Sequence, residues 1–382
     1  MTSGSFIETT PALKALAGEL GKCGTIAIDT ESNSFHNYHE RICLIQISTS
    51  RADFIIDPLA VTDLSPLSEI FEAPGILKIF HAAENDVVLL KKHHGFEFRN
   101  IFDTLLAAQI LGHREVGLAS LLLRLFDIHL DKGPQRSDWA RRPLSAVQLR
   151  YAIDDTHHLS RLRDALYKEL VEADRLSAAE EEFERLAAKL PVERQPDPAA
   201  YLRIKGARKL PGARRGILQK LFAWRESTAR SIDRPPFRVI SNETLLELSS
   251  LAPSSWEGQG RIRGVTPRII SRFGDEILAA IRRGIAEGEA PPARSERRKR
   301  EPHEKWTDEM EGRFRRLREW RNERSEARNV EPFIIAANRL LVNLARLDPD
   351  SVETLRKIPG MSEWRVKDFG GEILDVLKKP AE

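Results

Sequence analysis

Apolar and polar positions follow two different periods along this chain, and the change of period divides it. In the first part, short apolar runs are bounded by polar and turn residues: TIAIDTES (25–32), ICLIQISTS (42–50), DFIIDPL (53–59) and ILKIFHA (76–82). Runs of this length, rich in Ile, Leu and Phe, predict buried strands. Only Arg51 and Ala52 separate the second from the third, which predicts a hairpin and antiparallel pairing. SPLSEIF (65–71), 84–94, 103–111 and 117–126 read as helices, and one long helix is predicted from about Ser145 to Glu172. Early strands, then strands alternating with helices, predict a mixed sheet covered by helices.

Beyond about residue 190 the strand pattern stops. KLPVERQPDPAAY (189–201) and EGEAPPARSERRKREPHEKW (287–306) are rich in proline and charge and read as linkers. The helical text between and after them repeats itself at a constant offset of 96 residues. Trp224 matches Trp320, Arg225 matches Arg321, Pro236 matches Pro332, and Asn242 matches Asn338. FGDEIL (273–278) matches FGGEIL (369–374). Two copies of one small helical module are therefore expected. The resulting domain plan is 1–190, then modules at 208–286 and 308–380 joined by a charged linker at 287–307.

Charge changes this picture more than composition does. The net charge of +3 is made of −8 over residues 1–200, +12 over 201–300 and −1 over 301–382. An acidic front joined to a basic first module points to a polyanion partner. No apolar run is long enough to span a membrane. MTSGSFIETT has neither the basic nor the apolar region of a secretory signal. Cys23 and Cys43 make no disulfide framework and no zinc pattern, which suits a reducing cytoplasm.

The candidate chemistry starts at the end of the first long strand. Side chains alternate along a strand, so Asp29 and Glu31 share a face with the small Ala27. Two such carboxylates repel unless a cation lies between them, and oxygen ligands suit Mg²⁺ or Mn²⁺. Asp86 stands on the first turns of the helix after the fourth strand. Tyr151 and Asp155 are four residues apart on the long helix and share a face. Taken singly, each has a structural account: a solvated strand end, an acid at a helix N-terminus, a packed tyrosine.

Together, Asp29-x-Glu31, Asp86 and Tyr151-x-x-x-Asp155 resemble the tyrosine subclass of the Asp-Glu-Asp-Asp exonucleases. AIDTES, FHAAENDV, FDTLLAAQILG and SDWARRPLSAVQLRYAIDDTHHL further resemble ribonuclease D, and the repeat resembles two HRDC modules. The resemblance implies an α/β exonuclease domain of ribonuclease H-like type, with a mixed sheet flanked by helices, followed by two all-α HRDC modules. It implies hydrolysis from the 3′ end with two divalent ions, Mg²⁺ or Mn²⁺. Asp29 would bridge both ions, Glu31 and Asp155 would hold the one that activates water, and Asp86 would help hold the other. Tyr151 would orient the water, and nucleoside 5′-monophosphates would be released. RNA 3′ ends, tRNA precursors among them, are the implied partners, bound by a cytoplasmic monomer whose basic first module contacts nucleic acid.

Thr30, His81, Gln135, Ser137 and Trp139 are the candidates for substrate contact. His81 reads equally as a satisfied strand-end histidine, and Trp139 as a loop anchor. Trp256 and Trp364 fall outside the repeat and are candidates for stacking on bases. Two other functions fit the same residues: a DNA exonuclease of repair, and a catalytically silent RNA-binding protein.

Overall fold

The computed structural model describes residues 5–131, 133–192, 197–257, 262–289 and 306–379. RRKR (297–300) and most of the second linker lie outside the described residues. The described chain forms two compact units. One holds residues 1–31, 42–191 and 303–382; the other holds 32–41 and 192–302.

The first unit is built on a six-stranded sheet in the order β1-β4-β3-β2-β5-β6. Its strands are β1 (Ser5–Ile7), β2 (Thr25–Ser32), β3 (Ile42–Ser48), β4 (Asp53–Ile56), β5 (Leu77–Phe80) and β6 (Ile101–Asp103). β3 and β4 form the expected antiparallel hairpin, with Ser48 opposite Asp53. β1 joins β4 in parallel, and β5 pairs in parallel with both β2 and β6. The four long apolar runs became strands as expected. β1 and β6 add one strand at each edge. Each has three residues, too few to show an alternation in the sequence.

Eight helices follow the strands or cover them: α1 (Thr10–Leu20), α2 (Ser68–Glu72), α3 (Glu84–His94), α4 (Thr104–Leu111), α5 (Leu118–Phe126), α6 (Ala146–His157), α7 (Leu159–Glu172) and α8 (Leu176–Ala187). The long helix expected from Ser145 is two helices, α6 and α7, which meet at His158. No Gly or Pro marks the break. At that point His157 turns its Nδ1 to Asp53 of β4, at 2.9 Å. α6 starts on a capping box, in which Ser145 and Gln148 satisfy each other's backbone N–H.

The helical copies keep their register. The first has α9 (Gly212–Ser231), α10 (Pro236–Val239), α11 (Asn242–Leu251) and α12 (Pro267–Glu287). The second has α13 (Asp308–Arg328), α14 (Pro332–Ile335), α15 (Asn338–Leu347), α16 (Val352–Arg356) and α17 (Glu363–Lys378). Trp224 Nε1 donates to Glu276 at 2.6 Å, and Trp320 Nε1 donates to Glu372 at 2.7 Å. Arg225 donates to Asn242 and Arg321 to Asn338, at 2.8 and 2.6 Å. The repeat thus preserves polar pairings as well as apolar positions.

The two copies are used differently. A single apolar cluster runs from Ala27, Ile79 and Phe102 of the sheet through α4, α7 and α8 to Trp320, Leu344, Phe369 and Leu377 of the second copy. The second copy therefore completes the core of the sheet unit. Arg365 is buried there, donating to Glu182 of α8 at 3.0 Å and to the carbonyls of Ile334 and Ile335. Trp364 N donates to Glu181 at 2.8 Å. Gly112, at φ +85°, has no room for a Cβ against the Asn329 carbonyl, so the chain passes there only as glycine.

Trp364 is buried against Phe369 and offers no face to a base, whereas Trp256 is partly buried against the first copy's core. The sequence could not distinguish these tryptophans from exposed ones, because neither has a repeat partner. Arg365→Met is expected to destabilise the chain by about 3 kcal/mol in chemical denaturation, because it strips the Ile334 and Ile335 carbonyls of their donor and leaves the buried Glu182 carboxylate with only the exposed Arg185 as a partner. Adding Glu182→Leu should recover most of that loss. An Arg365→Met chain as stable as the parent would sink this account.

Candidate active site

β2 buries both of its faces. Ile26 and Ile28 enter one apolar cluster, and Ala27 enters the other. The strand can therefore leave the core only at its end, and there it carries Asp29 and Glu31. α6 packs across β3 and β4 and brings Tyr151 and Asp155 to the same place. Asp29, Glu31 and Asp155 each offer a carboxylate oxygen, and these oxygens all lie within 4.8 Å of one another. All three residues are half-buried.

Like charges this close, drawn partly out of water, hold their protons. Asp29 is raised well above the ordinary carboxyl value, first by burial and then by Asp86, Asp155 and Glu31. Burial, then Asp155 and Asp86, push Glu31 up to about 9. Burial pushes Asp155 up to about 7, against the opposing hydrogen bond from Tyr151. Tyr151 is itself raised, by burial first and then by the negative charge of Asp155 and Glu31. Its hydroxyl donates to Asp155.

Asp86 stands apart from the three. It is buried on the first turn of α3, where the Thr30 hydroxyl donates to its carboxylate. Burial raises it to about 7, with the Thr30 hydroxyl opposing. It is close enough to raise Asp29, but it is not part of the tight group. Thr30, expected as a substrate contact, is engaged with Asp86.

The other candidates separate. His81 follows β5, where β2 and β5 run in register with Ala27 opposite Ile79. Its Nδ1 lies 2.9 Å from the Thr104 hydroxyl, whose own proton goes to the Phe80 carbonyl. Nδ1 therefore carries the hydrogen, and burial lowers the imidazole to about 4, which keeps it neutral. Gln135 is exposed on the turn Gly133–Arg136. Ser137 lines a cavity of about 410 Å³ with Asp138, Arg141, Ser145 and Gln148, and none of the three carboxylates is in that lining.

Trp139 corrects the expectation of a base contact. It is 1% exposed, packed among Cys43, Leu44, Ile55 and Ala152, with its ring 5.9 Å from Tyr151. A buried indole supports the tyrosine from behind and cannot stack on substrate. Arg142 fixes its loop, bonding Asp57 at 2.6 Å and the carbonyls of Trp139 and Cys43.

Three polar residues escaped the sequence reading. Asp103 is buried and accepts the backbone N–H of Ala83, Leu105 and Leu106 at 2.7, 2.8 and 3.0 Å, and that of Ala82 at 3.3 Å. It ties the turn before α3 to the start of α4. Gln46 is fully buried on β3, and neither of its amide atoms is hydrogen-bonded among the described residues. It lies two residues from Ser48, whose hydroxyl meets Thr156, the neighbour of Asp155. Asp233, in the second unit, accepts from the backbone of Tyr38 and His39 and from the Asn37 amide at 2.9–3.0 Å. It thereby holds residues 37–39 within its own unit. The acid in FDT was legible as a helix cap. The other two show only in three dimensions.

The donor set fits a hard divalent cation. It is all oxygen, its carboxylates repel one another once ionised, and it lies outside every ion pair found among the described residues. Comparisons with known proteins agree. The model of the 3'-5' exonuclease family matches residues 5–171, and that of the HRDC domain matches 214–281 and 310–377. A ribonuclease D of Desulfotalea psychrophila is 28% identical over 97% of this chain and 98% of its own length. A ribonuclease D of Granulibacter bethesdensis is 30% identical over 97% of this chain and 92% of its own. The crystal structure of the catalytic core of RRP6 from Trypanosoma brucei covers 75% of this chain and 81% of that one, at 29% identity and a TM-score of 0.69. The exonuclease family depends on divalent metal, and the chain belongs to the ribonuclease D family of 3'-5' exoribonucleases, RNA-binding hydrolases.

Proposed function

We propose that this chain trims the 3′ ends of structured RNAs such as tRNA precursors, one nucleoside 5′-monophosphate at a time, as a cytoplasmic monomer. In this reading the nuclease is residues 1–190, and the modules at 208–286 and 308–380 flank a linker at 287–307. The observation that carries the reading is the convergence of Asp29, Glu31 and Asp155 with the Tyr151 hydroxyl on Asp155.

Asp29, Glu31 and Asp155 would hold the divalent ions, with Asp29 shared and Asp86 a more distant contributor. Two such ions supply a water of lowered pKa and a positive clamp for the attacking and leaving oxygens. The protein's own part is to gather the carboxylates, which repel each other without metal. Tyr151 keeps its proton and orients the attacking water by hydrogen bonding.

The test is a time course on 5′-labelled single strands of RNA and DNA with Mg²⁺ or Mn²⁺. The expected result is a ladder that shortens from the 3′ end of RNA, with 5′-monophosphates as products. Faster loss of DNA would overturn the RNA assignment, and metal-independent cleavage would overturn the site.

A further inference from the structure

His81, the residue after β5, carries an acceptor with no partner. The Thr104 hydroxyl gives its proton to the Phe80 carbonyl at 2.9 Å. His81 Nδ1 is 2.9 Å from the same hydroxyl oxygen, so Nδ1 supplies the hydrogen between them. In the neutral ring the lone pair is then on Nε2. Nε2 has no hydrogen-bond partner among the described residues and, on a half-buried ring, is reached by solvent.

The sheet sets where this atom stands. β2 and β5 pair in parallel up to Ala27 opposite Ile79. The same register carried two residues further puts His81 beside Asp29, one strand spacing of about 4.8 Å away. Ala27 and Ile79 enter one apolar cluster, so by alternation Asp29 and His81 share that face. The turn after His81 is held under strain. Ala82 has φ +63°, a left-handed conformation that a Cβ disfavours, and the Asp103 carboxylate accepts its N–H and that of Ala83. Asp103 and Thr104 are consecutive, so the start of α4 fixes both the turn and the ring.

Nε2 lies outside the tight group of ligand atoms formed by Asp29, Glu31 and Asp155. It has no proton to give, so it does not serve a leaving oxygen as an acid. It needs a donor, and phosphate oxygens only accept. The donors common to every ribonucleotide are the ribose hydroxyls, and of these DNA lacks the 2′. We propose that His81 Nε2 accepts a hydrogen bond from the 2′-hydroxyl of the 3′-terminal nucleotide and so distinguishes RNA from DNA at this site. This rests on the exoribonuclease reading for its ligand and deepens it by naming the group that reads the sugar. Thr104 is the positioning residue, because its hydroxyl holds the tautomer.

The experiment measures equilibrium binding of adenosine 5′-monophosphate, and of its 2′-deoxy and 3′-deoxy forms, to the full chain with Mn²⁺. The parent should prefer the ribonucleotide to the 2′-deoxy form by roughly tenfold, as expected for one hydrogen bond. His81→Ala should bring the ribonucleotide down to the level of the 2′-deoxy form, with the latter bound as before. His81→Gln, which places an amide oxygen near the position of Nε2, should recover part of the preference. Thr104→Val should shrink the preference with the imidazole still present, and Thr104→Ser should keep it. The absence of a preference in the parent overturns the proposal. So does a His81→Ala chain that weakens both forms equally, since the ring would then act through the fold. A loss in His81→Ala seen only against the 3′-deoxy form moves the contact to the 3′-hydroxyl and overturns the 2′ assignment. Because binding is read without cleavage, the two readings fail separately. A chain that holds the ribonucleotide through His81 but shortens no RNA supports the acceptor and overturns the enzyme assignment. A chain that shortens RNA and keeps its sugar preference in His81→Ala does the reverse.

Discussion

Asp155→Asn leaves 5′-labelled RNA at full length under conditions in which the parent chain shortens it. The expected loss is a thousandfold or more in rate, on the order of 4 kcal/mol in the barrier. Asp155 contributes twice: its oxygen belongs to the three-carboxylate group, and it receives the Tyr151 hydroxyl. The amide keeps the shape but removes the charge, so both the ion site and the tyrosine's anchor weaken. Asp154→Asn, one position along the same helix and outside the group, is the control and should retain activity. Retention of activity in Asp155→Asn would remove this residue from the site.

Without metal, the chain should lose thermal stability as pH rises from about 5 to 9. Glu31, Asp86 and Asp155 bind protons more tightly folded than unfolded. For acids raised in this way, the stabilising contribution is complete below the unfolded value near 4. It is lost as pH passes the folded values of about 7 for Asp86 and Asp155 and about 9 for Glu31. A fall in Tm on the order of 5 °C is expected across that window. Saturating Mg²⁺ or Mn²⁺ should reverse it, by about 2.7 kcal/mol at a hundredfold excess over Kd, and the gain should grow with pH as protons stop competing. Glu31→Gln should flatten the upper part of the slope. Asp63, Asp233 and Glu243 are lowered, so their contributions are lost below the ordinary carboxyl range, outside this window. A Tm independent of pH in the absence of metal would show that the carboxylates do not strain the fold.

What could be read in the sequence depended on whether the cause was local. β2 through β5 were legible because each is a run of apolar residues between breakers. The strand alternation that puts Asp29 beside Glu31 is also local, as is the helical spacing of Tyr151 and Asp155. That these two pairs meet is not local, since α6 must first pack across β3 and β4. The likeness to a known family supplied that step. The break at His158 was hidden because no Gly or Pro marks it, and the contact of His157 beside it is with Asp53, about a hundred residues away in sequence. Trp139 could not be placed for the same reason: a tryptophan between charged residues reads as exposed until Leu44 and Tyr151 are seen to enclose it.

The core that starts with Ala27 is not finished until Leu377, and this orders events during synthesis. Once α8 has left the ribosome, the faces of α4, α7 and α8 have no cover until the second copy is made. At about 5–20 residues per second, the nearly two hundred residues between take roughly 10–40 s. For that interval the nascent nuclease exposes an apolar surface whose own partner does not yet exist, and the window closes only when α17 arrives.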